Sequence, residues 1–223
     1  MSPIVDLHHA RREYAGQSIA GESASPWPLF EQWFAEARQG EAAGELVEAA
    51  AMTLATVDPD GQPSSRVVLL KAFGRDFGEH GGMDFYSHAT SRKGRAIAHQ
   101  ARVGLHLYWP TQNRQVRVEG VASVKARAEA EAYWRARPRA SQVAALVAHQ
   151  SHPRQTRESL EAEFATATAA YLDRDVPCPD DWCGYRVSPH HVEFWQGMPS
   201  RLHDRLVFDL QPDGSWVSGR LDP

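Results

Sequence analysis

Near the C-terminus, Arg201-Leu202-His203-Asp204-Arg205 sets two arginines and a histidine within five residues. They follow an apolar, aromatic run, Glu193-Phe194-Trp195-Gln196, which ends at Gly197. Guanidinium groups offer planar, two-point recognition of phosphate or carboxylate. A histidine between them can hydrogen-bond or carry a proton near neutral pH. Other stretches share this character. Ser91 precedes Arg92, Lys93 and Arg95, and Tyr133, Arg137, Arg139 and Ser141 surround Pro138. Arg66 and Lys71 bracket an apolar run, and Arg11-Arg12-Glu13-Tyr14 is the one dense feature of the N-terminal arm. One phosphate rarely needs so many cations and hydroxyls. Two phosphorylated ligands, a cofactor and a substrate, would use them all.

The elements that must position these groups follow from periodicity. Residues 1–25 are polar and weakly patterned, and are expected to form a mobile arm. Ser25-Pro26 predicts a helix start, with serine as N-cap and proline at the first helical position. Phe30, Phe34 and Ala37 then share a face, with Leu29 and Trp33 beside them. From Met52 the period changes to two, and Asp58-Pro59-Asp60-Gly61 is a turn. Strands are expected at Arg66–Lys71, Met83–Ser87, Val103–Leu107, Val116–Val118, Tyr185–Ser188, Val192–Gln196, Leu206–Leu210 and Trp216–Leu221. Roughly eight short strands, with helices in blocks between them, predict a mainly antiparallel β protein with flanking helices, a barrel or sandwich. Residues 154–172 read as an amphipathic scaffold helix with Leu160, Phe164, Ala167 and Tyr171 on one stripe. With no internal repeat, residues 26–223 read as one domain.

The helix predicted over Arg92–Gln100 has an electrostatic peculiarity. Ser91 can cap it, yet its first turn carries three cations and no acid. The macrodipole disfavours each cation there by ~0.3–1 kcal/mol. A bound anion removes that conflict and uses the free backbone N–H groups.

Composition excludes several classes. The 223 residues are 42% hydrophobic and 23% charged, ordinary for a soluble globular protein. A net charge of −4 gives no basic field for nucleic acid. Cys178 and Cys183 are too few for a disulfide framework or a four-cysteine zinc site, so the expected setting is reducing and cytoplasmic. No apolar run approaches the ~20 residues that span a bilayer, and the N-terminus does not read as a signal peptide. Nucleotide-binding glycine loops, a Gly-x-Ser-x-Gly elbow and a His-Glu-x-x-His pattern are absent, and no metal is expected. The adjacent pairs His8-His9 and His190-His191 read as surface histidines.

Taken in order, the motifs are Arg66-Val67-Val68-Leu69-Leu70-Lys71, Ser91-Arg92-Lys93, Arg114-Gln115-Val116, Arg137-Pro138-Arg139 with Ser141-Gln142, and Gln150-Ser151. Trp182, Gly184-Tyr185-Arg186-Val187, and Glu193–Gly197 with Arg201–Arg205 complete the series. From about Arg11 to Pro223 the chain resembles pyridoxine (pyridoxamine) 5′-phosphate oxidase. The resemblance implies an FMN-dependent split β-barrel flavoprotein, homodimeric, with FMN at the subunit interface. It implies oxidation of pyridoxine or pyridoxamine 5′-phosphate to pyridoxal 5′-phosphate, with O2 reoxidising the flavin and yielding H2O2.

It also implies residue roles. Arg66, Val67, Val68, Leu69, Leu70, Lys71, Tyr86 and Ser87 match strands along the flavin, and Arg92 and Lys93 match its phosphate site. Gln115 matches a ring contact, Gln150 and Ser151 match contacts from the partner subunit, and Trp195 and Arg205 complete the cofactor site. Lys71, Tyr133, Arg137 and Ser141 match the substrate phosphate clamp. Arg201, Leu202 and His203 match the residues over the substrate ring, with Arg201 and His203 as the catalytic pair. Arg11 and Tyr14 match the covering arm. Four departures stand out. Gly197-Met198-Pro199-Ser200 replaces a Gly-Gly lead, and Cys183 stands where glycine is usual. Ala144-Ala145-Leu146 replaces a Gly-Ala-Trp pattern, and the Phe73–Gly82 loop is longer. Two other readings stay open: a same-fold FMN oxidase with another, phenazine-type substrate, and a non-catalytic flavin or pyridoxal phosphate carrier.

Overall fold

The period-two stretches become strands in a computed structural model, which describes residues 13–19 and 23–223. In β1 (Ala51–Val57) buried Met52, Leu54 and Thr56 alternate with more exposed neighbours. The turn after it uses Gly61 at φ 84°, a left-handed position that suits a residue without Cβ. β2 (Pro63–Leu69) returns antiparallel, with Arg66 opposite Leu54. β3 (Ala72–Gly74) and β4 (Gly82–His88) follow, then β5 (Arg102–Trp109) and β6 (Arg114–Val124). β7 (Trp182–Gln196), β8 (Asp204–Leu210) and β9 (Trp216–Leu221) close the chain. The helices are α1 (Trp27–Ala42), α2 (Arg92–His99), α3 (Arg127–Ala136), α4 (Arg139–Val147) and α5 (Arg157–Ala170). The strand order is β2-β1-β5-β6-β7-β4-β3, with β8 on β7 and β9 on β8.

The chain divides into two compact units. One holds the described residues up to Ala49, His106–Val118 and His191–Pro223. Its core is aromatic. Trp27, Phe30, Trp33 and Ala37 bury one face of α1, and Trp33 meets Phe194 edge-on at 5.2 Å. The Arg114 guanidinium lies over the Trp33 ring at 4.5 Å and pairs with Glu36. The second unit holds Ala50–Leu105 and Glu119–His190. Phe85 stacks on Tyr185 at 5.1 Å between β4 and β7. A satellite cluster joins Trp134, Val143, Val176 and Trp182, flanked by half-buried Phe164, Ala167 and Tyr171. Among the described residues no helix is long and apolar enough to cross a membrane.

Several local expectations are corrected. Ser25 is not the cap of α1: Pro26 occupies the N-cap with helical backbone angles and no side-chain cap. On α1, Trp33 is fully buried and Phe34 only half-buried, because the buried stripe runs through 27, 30, 33, 37 and 40. The expected strand Arg66–Lys71 lies earlier, at Pro63–Leu69, and leaves Lys71 exposed beyond its end. The loop from Phe73 contains the short β3. The strands expected at Tyr185–Ser188 and Val192–Gln196 are one 15-residue strand that runs through Pro189. Gly120 makes room there, since a Cβ on it would meet the Ser188 carbonyl at 2.6 Å. Ser91 does cap α2, accepting from the Gly94 N–H at 3.2 Å.

Candidate active site

A cleft of about 610 Å³ opens in the second unit. It is lined by Arg66, Val67, Val68, Leu69 and Lys71 from β2 and its end, Tyr86 and Ser87 from β4, and Lys93 from α2. Tyr133, Ala136, Arg137, Pro138 and Ser141 come from the α3–α4 corner, with Gln150 and Trp182 beside them. Twelve of these residues are ones the sequence singles out as ligand-binding; Ala136, Pro138 and Trp182 are additions. Trp182 was legible only as part of a motif, with nothing in its spacing to mark it as a wall of the site.

One end of the cleft is the start of α2. Ser91 accepts from Gly94 N–H and also lies 3.3 Å from Lys93 Nζ. Lys93 Nζ donates to Gln150 Oε1 at 2.8 Å, and Ser87 Oγ donates to the same oxygen at 3.3 Å. Gln150 thus sits on its own chain's Lys93, while Ser151 is exposed at φ 66°. Burial, and then the nearby Arg66 charge, pull the Lys93 ammonium down to about 8. Arg66 donates to Thr56 Oγ1 at 2.8 Å, Ser64 Oγ at 2.7 Å and the Leu54 carbonyl at 3.2 Å, all neutral acceptors, with Asp58 as the nearby opposite charge. Arg92 differs: both its Nε and Nη2 reach Asp58 Oδ2, at 2.8 and 2.5 Å. The acid missing from the first turn of α2 is therefore supplied to Arg92 by the β1–β2 turn.

The other end is the α3–α4 corner. The Arg137 guanidinium lies 4.3 Å over the Trp182 ring and 5.1 Å from that of Trp134. Its Nη1 and the Trp182 Nε1 are both buried without a hydrogen-bond partner. Burial pushes the Arg137 pKa down and the Tyr133 pKa up. Tyr133 stacks on Tyr86 with centroids 3.8 Å apart. Arg139 turns away and donates to the Arg174 carbonyl. Buried donors with no acceptor are costly unless a ligand satisfies them. Both ends therefore fit a phosphate: Lys93, Arg66 and the free N–H groups of α2 at one, Arg137, Tyr133 and Ser141 at the other. The Lys93 shift gives a measurable signature. Above pH 8 the free ammonium is neutral, so binding a phosphate must take up a proton. Affinity for a phosphorylated ligand is expected to fall by up to tenfold per pH unit above 8, and a flat titration profile from pH 7 to 10 would show that Lys93 does not bind the phosphate.

The remaining expected residues lie in the first unit. Tyr14 packs edge-on against Trp195 at 5.7 Å and His203 at 5.3 Å, and Trp195 and His203 are 4.6 Å apart. The Arg201 guanidinium lies 5.8 Å from the Tyr14 ring centre, while Leu202 is exposed. His203 Nδ1 accepts the Met198 N–H at 3.1 Å, which assigns the ring proton to Nε2. Burial and then Arg201 lower the His203 pKa, which favours the neutral ring. Gln115 lies 3.0 Å from His106. Arg205 forms a two-point pair with Glu193, at 2.9 Å each, and donates to the Asp222 carbonyl. Arg11 lies outside the described residues.

The turn that presents Arg201 is strained. Pro199–Arg201 forms a 3-10 turn in which Ser200 and Arg201 have φ of 56° and 64°. Left-handed angles cost a residue with a Cβ about 1 kcal/mol or more. Ser200→Gly is expected to stabilise the protein by up to about 1 kcal/mol, read as a raised midpoint in urea. A lowered midpoint would refute the strain.

Among the described residues no cluster of His, Cys, Asp and Glu is placed to hold a metal. Residues 39–171 match the family model described as pyridoxamine 5′-phosphate oxidase. Residues 182–223 match the pyridoxine 5′-phosphate oxidase C-terminal dimerisation region. The chain is 41% identical over 220 residues to a pyridoxine/pyridoxamine 5′-phosphate oxidase of Leptospira biflexa, covering 98% of this chain and 99% of that one. To the Rubrobacter xylanophilus protein of the same name it is 44% identical over 220 residues, covering 98% and 97%. Its fold resembles that of PhzG from Burkholderia lata, solved with tetrahydrophenazine-1-carboxylic acid, at TM-score 0.81 and 30% identity over 90% of this chain and 94% of that one. That likeness bears out the expected class, an antiparallel split-barrel fold with flanking helices. The chain belongs to the pyridoxamine 5′-phosphate oxidase family of FMN-dependent oxidoreductases.

Proposed function

We propose that the protein oxidises pyridoxamine 5′-phosphate and pyridoxine 5′-phosphate to pyridoxal 5′-phosphate, with O2 as final acceptor and H2O2 as product. The observation that carries this reading is the buried, unpartnered Arg137 Nη1 beside Tyr133 and Ser141, in the same cleft as Lys93 and Arg66. One cleft thus holds two cationic ends, matching a phosphorylated substrate and a phosphorylated cofactor. When bound, FMN supplies the two-electron acceptor that no side chain offers. The protein's own part is binding and orientation. Arg137, Tyr133, Ser141 and Lys71 hold the substrate phosphate. Arg66, Lys93 and the first N–H groups of α2 hold the cofactor phosphate, with Arg92 fixed behind them by Asp58. Val67, Val68, Leu69, Leu70, Tyr86, Ser87 and Gln150 flank the cofactor.

Arg201, Leu202 and His203 lie over the substrate ring, with Trp195, Gln115, Arg205 and Ser151 completing the cofactor site. His203 acts there as a neutral donor from Nε2, because Nδ1 already accepts from Met198. It orients charge rather than removing a proton. Arg11 and Tyr14 belong to an arm, residues 1–25, that covers the substrate; residues 26–223 form one FMN-binding domain. The enzyme works as a cytoplasmic homodimer with FMN at the subunit interface.

The test is an anaerobic titration of the yellow, FMN-loaded protein with pyridoxine 5′-phosphate, followed by flavin absorption. Bleaching that reverses when air is admitted is expected. A flavin band that stays oxidised refutes the oxidase reading for this substrate. The likeness to PhzG makes a phenazine-type substrate the competing reading. The same titration with tetrahydrophenazine-1-carboxylic acid separates the two.

A further inference from the structure

The turn between β4 and α2 carries the residues of the cofactor-phosphate end, and it is tied down from outside. Asp181 makes three bonds to it. Its Oδ1 lies 3.1 Å from His88 Nδ1, its Oδ2 accepts from Thr90 Oγ1 at 2.5 Å, and its carbonyl accepts the Ala89 N–H at 2.7 Å. Within the turn, the His88 carbonyl accepts from Ser91 Oγ at 2.7 Å and from Ser91 N–H at 3.2 Å. Ser91 is the residue that caps α2 and touches Lys93. The packing is tight, since a Cβ on Gly94 would sit 2.3 Å from the Ala89 carbonyl.

Asp181 is itself anchored. The Arg127 guanidinium donates to the carbonyls of Cys178, Pro179, Asp180 and Trp182, on both sides of Asp181. The next residue, Trp182, pairs with His88 across β4 and β7, and the two rings meet edge-on at 5.1 Å. Asp181 therefore stands between a fixed loop and the turn that aims Ser91, Lys93 and the first N–H groups of α2. It does not line the cleft.

We infer that Asp181 is a positioning residue for the cofactor phosphate: by holding His88, Ala89 and Thr90 it sets the anion-binding geometry at the start of α2. This rests on the reading of that end as the FMN phosphate site. The anchor places backbone donors rather than adding charge, so its loss should be felt by the phosphate and not by the flavin ring. Riboflavin, which lacks the phosphate, is the matching control.

The experiment is titration of apoprotein with FMN and, separately, with riboflavin, read by flavin fluorescence, for the wild type and three variants. Asp181→Ala is expected to weaken FMN binding tenfold or more while riboflavin binding stays within twofold. Asp181→Asn keeps one acceptor and should recover part of the loss. Thr90→Val removes one of the three bonds and should weaken FMN alone, by a smaller factor; it carries the test if Asp181→Ala does not fold. Unchanged FMN affinity, or equal losses for FMN and riboflavin, overturns the inference. A wild type that does not prefer FMN over riboflavin would instead overturn the phosphate-site reading on which it rests.

Discussion

Arg137→Ala is expected to raise KM for the phosphorylated substrate about 100-fold while FMN affinity stays within twofold. A charge-assisted, two-point contact to phosphate is worth several times a neutral hydrogen bond. Here the guanidinium lies over Trp182 with its Nη1 already buried, so its geometry is set before substrate arrives. Steady-state kinetics with and without excess FMN checks the split. Arg137→Lys tests the geometry itself. A point charge on a flexible stem keeps the sign but loses the planar fork, so it should recover only a small part. Full activity in the lysine variant would show that charge alone suffices. A parallel loss of FMN binding would show that the two ends of the cleft are not separate.

Asp84→Ala is expected to destabilise the protein by about 3–5 kcal/mol, the range for breaking one side of a buried ion pair. Asp84 is 1% exposed; it takes two hydrogen bonds from Arg186, at 2.8 Å each, and pairs with Lys125. Removing the carboxylate strands a lysine that is itself only 8% exposed, though Glu129 at 3.1 Å keeps part of its compensation. Burial alone would raise the Asp84 pKa, but the bonds from Arg186 and Lys125 outweigh it and hold the carboxyl below its ordinary value. The sign follows. The stabilisation is fully present above the unfolded value of about 3.9 and is lost as pH falls through the lower folded value. Urea midpoints of wild type and variant should therefore differ most near pH 7 and draw together as pH falls below the unfolded value. Lys125 also lies 3.4 Å from the Tyr86 hydroxyl, so the loss should reach the cleft wall. A midpoint unchanged at pH 7 would refute the account.

The parts of this molecule governed by local physics were legible in the sequence. The cap at Ser91, the turn at Gly61 and the alternation in β1 depend on neighbours a few residues away, and each formed as expected. The cation clusters were legible as chemistry, and the cleft gathers Arg66, Lys71, Lys93, Tyr133, Arg137 and Ser141 from segments as much as 75 residues apart. Partnerships set by the tertiary fold were not. Nothing near Arg92 in sequence names Asp58, 34 residues away, as its acid. Nothing near Arg137 marks Trp182 as its platform. The sequence divides β7 into two strands at Pro189, and only Gly120 opposite, giving the backbone room to pass, lets it run through. At the start of α1 the local signal was itself misleading, because Pro26 takes helical angles and displaces Ser25 from the cap.

The single long strand β7 sets an order of assembly. Its C-terminal half pairs with β8 across the short Gly197–His203 connection, and β8 pairs with β9 across another tight turn. Its N-terminal half pairs with β4, where Ser87 and Cys183 are 96 residues apart. Closing a loop of that length costs about 2 kcal/mol more chain entropy than closing one of eight residues. The β7–β8–β9 meander should therefore gain protection early in refolding, and the β4–β7 ladder late. Pulse-labelled hydrogen exchange reads that sequence of events, and simultaneous protection of both ladders would contradict it. The cleft is walled by Tyr86 and Trp182 from that late ladder, which makes a finished cleft the last thing the folding chain acquires.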